Sequence, residues 1–130
     1  MVTAASELCE CRSILALTSR RRLSEMRYDL AVGRRLMLAV GLATISLVYA
    51  ETARRFHARN PFAAGGVYED PATGAAAAAL AGYLRDLGWP HGGAVEIIQG
   101  EDMGMPSRLY AEITPEPGAS VRVSGAARQI

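Results

Sequence analysis

The hexapeptide Glu69-Asp70-Pro71-Ala72-Thr73-Gly74 runs straight into an apolar stretch from Ala75 to Leu87. The start of a helix carries backbone N–H groups without intrahelical partners, and aligned peptide dipoles add partial positive charge there, so such a terminus attracts anions. Thr73 can cap that helix, Gly74 lets a ligand approach the backbone, and Ala75 and Ala76 put no bulk in the way. Asp70, held just outside by Pro71, can accept a hydrogen bond from a ligand ammonium or hydroxyl, or take part in proton transfer. The plainer reading is that Asp70 or Thr73 only caps a structural helix and that Glu69 is solvated or bonded to backbone. A second group, Arg55-Phe56-His57-Ala58-Arg59, alternates, so Arg55, His57 and Arg59 share one side of a strand. Lining a cleft, that side would attract a carboxylate; facing bulk water, it is soluble surface.

Other chemistries are excluded or weak. All 14 basic residues are arginine, so lysine-based covalent catalysis and pyridoxal-phosphate attachment have no residue to use. The 13 acidic residues leave a net charge of +1, against the strong basic excess that phosphate gripping normally requires, so nucleic acid is not an expected partner. Cys9 and Cys11 are too close for a stable disulfide, and His57 and His91 lie far from them without ligand spacing, so free thiols in a reducing compartment and no metal site are expected. The first dozen residues carry Glu7 and Glu10 and do not read as a secretory signal, which points to the cytoplasm. Leu36 to Ala50 holds no charge but is shorter than the roughly 20 residues a spanning helix needs, and no membrane association is expected.

Elements that position these residues follow from periodicity. With 130 residues, half of them apolar, the chain has enough material for one core. Ser13 to Leu17 reads as a buried strand ending in a solvated turn, Thr18 to Arg22. From the cap Asp29 to the stop Gly41, Leu30, Val32, Leu36, Met37 and Val40 place most of their bulk on one helical face, opposite Arg34 and Arg35. Strands are expected at Leu42 to Ala50, Arg55 to Arg59, Ala94 to Gln99, Arg108 to Ile113 and Ser120 to Ser124. The helix from Ala75 is apolar or glycine through Leu84 apart from the Tyr83 hydroxyl, so it has no water-facing side in its first turns and must be surrounded. The expected class is α+β, a mostly antiparallel sheet of roughly six strands curled around a central buried helix.

At this point the residues resemble a known family. Glu69 to Ala76 resembles the signature of the PhzF-like isomerases of phenazine biosynthesis, which share the diaminopimelate-epimerase-like fold. The resemblance extends to Phe56 through Phe62, to Gln99-Gly100 with Met103-Gly104-Met105-Pro106-Ser107, and to Val121 through Ala127. It covers residues 13–130 as a carboxy-terminal domain, with 1–12 as a poorly matched extension, and it corresponds to the second of two similar halves with the active site between them. The resemblance implies cofactor-independent and metal-independent proton shifting within a small carboxylate metabolite. It makes Asp70 the catalytic residue and assigns the substrate carboxylate to the backbone at Thr73, Gly74 and Ala75; the cationic side of the alternating strand adds Arg59 as a further candidate substrate-binding residue. The family's catalytic glutamate lies in the first half and has no match here. Position 75 is Ala where many members carry Ser, and position 105 is Met where Arg is common. Two functional expectations follow. In one, the chain is the carboxy-terminal half of an isomerase, inactive alone and completed by a separately encoded first half; in the other it is a non-catalytic small-acid-binding module or a homodimer.

Overall fold

A computed structural model describes residues 11–126. The extension and the thiols of Cys9 and Cys11 fall largely outside the described residues. Strand β1 (Cys11–Ala16) leads through the short helix α1 (Arg20–Ser24) and helix α2 (Leu30–Ala39) to β2 (Leu42–Ala50) and β3 (Arg55–Phe62). Strand β4 (Val67–Asp70), helix α3 (Gly74–Asp86), and strands β5 (Ala94–Gln99), β6 (Ser107–Glu112) and β7 (Arg122–Gly125) complete the order. The seven strands form one mixed sheet, β1-β2-β3-β5-β6-β7, with β4 added to the far part of β3. The class is α+β.

Two pairings are parallel, and each has a crossover that supplies a helix. β1 joins β2 through α1 and α2, and β3 joins β5 through β4 and α3. The remaining pairings, β2 with β3, β3 with β4, β5 with β6 and β6 with β7, are antiparallel. Between β2 and β3 the chain turns on Thr52, whose hydroxyl oxygen accepts from the N–H groups of Arg54 and Arg55.

The core lies between one face of the sheet and α3. Ala77, Leu80, Ala81 and Leu84 of the helix pack with Val48, Phe56, Ala58, Val95, Ile97, Ala111 and Ile113. Small residues at 77 and 81 let the helix approach the strands closely, while each buried Leu, Ile, Val or Phe contributes about 1.5–3 kcal/mol. Not every side of α3 is covered: Ala75 is exposed, and Tyr83 and Leu87 are 50% and 57% exposed. The expectation of a fully surrounded helix is corrected: the side carrying Ala75, Tyr83 and Leu87 is open.

Three further readings are corrected. Helix α2 has its cap where expected, with Asp29 Oδ1 accepting from the Val32 N–H at 2.8 Å, but only Met37 is buried. Val32, Leu36 and Val40, placed one turn apart, are exposed, whereas Gly33 lies against Tyr28 and Ala63 and Met37 is buried. The basic run Arg20-Arg21-Arg22 is a capped helix rather than a turn, with Ser19 Oγ accepting from the Arg22 N–H. Strand β4, in the stretch read as a bend, forms by pairing with β3, and β3 continues past Arg59 to receive it. Among the described residues, no helix is long and apolar enough to cross a membrane.

Candidate functional site

The site is built at the junction of β4 and α3. In register, Asn60↔Asp70 and Pro61↔Glu69 are paired between β3 and β4, so Glu69 and Asp70 point to opposite faces of the strand. Pro71 ends β4 and the chain turns over its own aspartate: Asp70 Oδ1 accepts from the Ala72 N–H at 3.1 Å, and Oδ2 accepts from the Thr73 hydroxyl at 2.6 Å. The Thr73 side chain is thereby committed to Asp70 and makes no capping bond to α3. This corrects the capping role foreseen for it and leaves the first N–H groups of a 13-residue helix without a side-chain acceptor.

A cavity of about 230 Å³ opens at this helix start, lined by Arg12, Ala43, Thr44, Phe62, Asp70, Ala72, Thr73, Gly74 and Ala75. Strand β1 contributes Arg12 and β2 contributes Thr44, so three separate parts of the chain meet there. A Cβ at Gly74 would meet nothing within 4 Å, which leaves the backbone open to a ligand. The helix dipole and N–H groups without a side-chain cap favour an anion, and Asp70 places a hydrogen-bond acceptor at the cavity's edge. A larger depression of about 510 Å³ lies elsewhere, against α1 and Leu47, and contains none of these residues.

The scaffold behind the loop comes from β5 and the turn that follows it. Gln99, 1% exposed, accepts from the Thr73 N–H at 3.2 Å and donates to the Asp70 carbonyl at 2.7 Å and the Thr73 hydroxyl at 3.0 Å. Ser107 donates to the Pro71 carbonyl at 2.9 Å. Gly100 has φ +79°, and a Cβ on it would stand 2.2 Å from the Met105 carbonyl oxygen and 2.9 Å from that of Pro71. Only glycine allows both loops to close on each other.

Arg59 does not face the cavity. Its Nε donates to Glu69 Oε1 at 2.5 Å and Nη2 to Glu69 Oε2 at 3.3 Å, with Arg59 7% and Glu69 3% exposed. Nη1 donates to the carbonyls of Leu23, Ser24 and Met26, where α1 ends. The carboxylate it was expected to take from a substrate is supplied by the chain itself, and Glu69 is a buried ion-pair partner rather than a solvated side chain. Burial opposes the guanidinium's charge, but hydrogen bonding and attraction from Glu69, with attraction from Asp102 and Tyr68, outweigh it, so the pKa of Arg59 is raised. Two aromatic rings brace the same strand: Tyr28 and Tyr68 stack at 4.3 Å, and the Tyr28 hydroxyl donates to the Tyr68 carbonyl. Burial, then the charges of Tyr68 and Glu69, push the Tyr28 hydroxyl pKa up. His57 is covered too, its Nδ1 2.8 Å from Glu101 Oε2, so His57 and Arg59 on the polar side of β3 are internal, while Arg55 at its start stays exposed and pairs with Glu96.

The model of the family described as phenazine biosynthesis-like protein matches residues 3–130. The chain belongs to this phenazine biosynthesis-like family. An uncharacterized isomerase of Mesorhizobium japonicum is 43% identical over 79 residues, covering 58% of this chain and 26% of that protein. Trans-2,3-dihydro-3-hydroxyanthranilate isomerase of Pseudomonas aeruginosa is 44% identical over 80 residues, covering 59% of this chain and 29% of the enzyme. Among solved structures, a Clostridium difficile PhzC/PhzF protein aligns with a TM-score of 0.63 at 18% identity over 92% of this chain and 45% of its own. A PhzF family protein of Bacillus anthracis aligns with a TM-score of 0.62 at 18% identity, over 85% of this chain and 40% of its own. These two show the shared fold. The chain spans between a quarter and just under half the length of these relatives.

Within this phenazine biosynthesis-like chain, Asp70, Thr73, Gly74 and Ala75 converge on one cavity and Arg59 stands apart from it. Reading the sequence missed Arg12 and Thr44 altogether, since nothing local links β1 and β2 to residue 70. Gln99 and Ser107 carried a signal only as parts of the resemblance, without a role.

Proposed function

We propose that this chain carries the aspartate-bearing half of a cofactor-independent isomerase that shifts a proton within a small carboxylate metabolite. The observation that carries the reading is that the Asp70 carboxylate and the uncapped start of α3 open onto the same cavity. A substrate carboxylate docks at the N–H groups of Gly74 and Ala75, with Arg12 adding positive charge. Two of the roughly four lone-pair directions of Asp70 are taken by Ala72 and Thr73, and the others are left for a substrate ammonium, hydroxyl or migrating proton. One carboxylate does not efficiently both remove a proton at one carbon and deliver it at another. The second acid–base group therefore comes from the glutamate-bearing half of the family fold, and this chain alone is inactive.

The same reading places the cavity between two halves, each a sheet wrapped around its helix in the diaminopimelate-epimerase-like manner. Contacts of α3 with β1 at one edge of the sheet and with β6 and β7 at the other support that wrapping. The exposed stripe Val32, Leu36 and Val40 favours a covering polypeptide, which this reading assigns to a separately encoded first half, with a homodimer as the other outcome. The setting is cytoplasmic and the partner is neither nucleic acid nor membrane.

The test mixes the chain with a separately produced glutamate-bearing half of a family member and supplies trans-2,3-dihydro-3-hydroxyanthranilate in deuterated water. Deuterium enters the substrate only in the mixture, and D70N lowers the exchange by at least about 100-fold while leaving the fold intact. Exchange that is absent from every pair, or that survives D70N, rejects the proposal.

A further inference from the structure

The hydrogen bonds around Gln99 have only one consistent direction. A backbone carbonyl can only accept and a backbone N–H can only donate, so the side-chain atom 2.7 Å from the Asp70 carbonyl is the nitrogen and the atom 3.2 Å from the Thr73 N–H is the oxygen. These two contacts fix the amide orientation without appeal to any other group. The second hydrogen of Nε2 then points to Thr73 Oγ1 at 3.0 Å. Thr73 Oγ1 is thus an acceptor toward Gln99, and its single hydrogen goes to Asp70 Oδ2 at 2.6 Å.

We infer that Gln99 is a positioning residue that locks the Thr73 hydroxyl as a donor to Asp70, holding the carboxylate as an acceptor oriented toward the cavity. The relay runs one way, from the Gln99 amide through the Thr73 hydroxyl to the Asp70 carboxylate. It is buried at its source, with Gln99 1% exposed at the end of β5, so water does not compete for the amide. Of the other charged groups near Asp70, Arg12 lines the cavity and Glu69 is directed to the opposite face of β4 against Arg59. An ionised Glu at position 99 would keep an acceptor for the Thr73 N–H but replace the donor with an acceptor. The Thr73 hydrogen would turn to it and Asp70 would lose its partner. The catalytic meaning of the relay rests on the proposed role of Asp70, but the relay itself is read without any turnover.

The experiment follows the side-chain 13C carboxyl resonance of Asp70 and the Gln99 side-chain amide protons by NMR at neutral pH. In the wild type both Gln99 Nε2 protons exchange at least about tenfold more slowly than in an unbonded amide. In T73V one of them accelerates, the Asp70 resonance moves, and T73S restores both. Q99E, similar in shape to Gln, moves the Asp70 resonance in the same direction as T73V, with backbone amide spectra confirming the fold. A fast-exchanging Nε2 proton in the wild type overturns the inference whatever the variants do. So does a Q99E protein with Asp70 unmoved, or T73V without effect. Absence of proton exchange from every reconstituted pair with these signals intact would reject the proposed function and leave the relay standing.

Discussion

Removing the carboxylate of Glu69 tests whether the Arg59 pair holds β3, β4 and α1 together. In E69L, the guanidinium loses the partners at 2.5 and 3.3 Å and keeps the carbonyls of Leu23, Ser24 and Met26 and the more distant Asp102, 3.8 Å from Nε. Breaking a buried pair on one side costs about 3–5 kcal/mol, because the remaining charge stays out of water without its counter-ion. Asp102 is partly exposed, with 23% of its side chain accessible, and offsets little of this, so about 3 kcal/mol is expected. R59M should cost a similar amount, since it leaves Glu69 buried and unpaired and removes donors from the end of α1. The double variant R59M/E69L leaves no buried charge and should be less destabilised than the sum of the two single changes by about 2–3 kcal/mol. Urea unfolding of the four proteins, followed by circular dichroism, measures the cycle. Additive costs, or an E69L protein within about 0.5 kcal/mol of wild type, would refute the argument that this pair is a buried structural clamp.

Two glycines beside the site should respond oppositely. G100A forces a Cβ against two carbonyl oxygens at positive φ and should cost about 1–3 kcal/mol in thermal or urea unfolding, whereas G74A, with open space at its Cβ, should be neutral or stabilising by up to about 1 kcal/mol; equal effects would contradict the loop packing. Glu96 is held below its usual 4.5, first by the Arg55 hydrogen bond at 2.7 Å against the opposing effect of burial, then by Tyr110 and Arg108. A depressed acid stabilises the fold above its unfolded value and loses that contribution as pH falls through its folded value. Wild type should therefore melt above E96Q at pH 7, with the gap closing below about pH 4.5; a gap that is constant from pH 7 to pH 3 would count against it.

Much of the site was legible in advance because its parts are neighbours in the chain. An acid, a proline, a hydroxyl and a glycine ahead of an alanine-rich helix define a loop and a helix start by local geometry, and Asp70, Thr73, Gly74 and Ala75 do share a cavity. Arg59 lies apart from that cavity for the converse reason. Its partner Glu69 sits on the neighbouring strand, and periodicity tells which side of β3 an arginine occupies but not what covers that side. The same limit hid β4, whose four residues become a strand only against β3, and the exposure of Val32, Leu36 and Val40.

What the amino-acid order determined by itself is therefore the inventory: an apolar helix with an acidic loop at its head, strands on either side, and arginine as the sole strong base. Only the tertiary structure decided which carboxylate neutralises which guanidinium, that Gln99 orients Thr73, and that Arg12 reaches the same cavity as Asp70. Local conformation follows from steric and capping preferences within a few residues, whereas charge pairing and burial depend on contacts between strands that are distant along the chain.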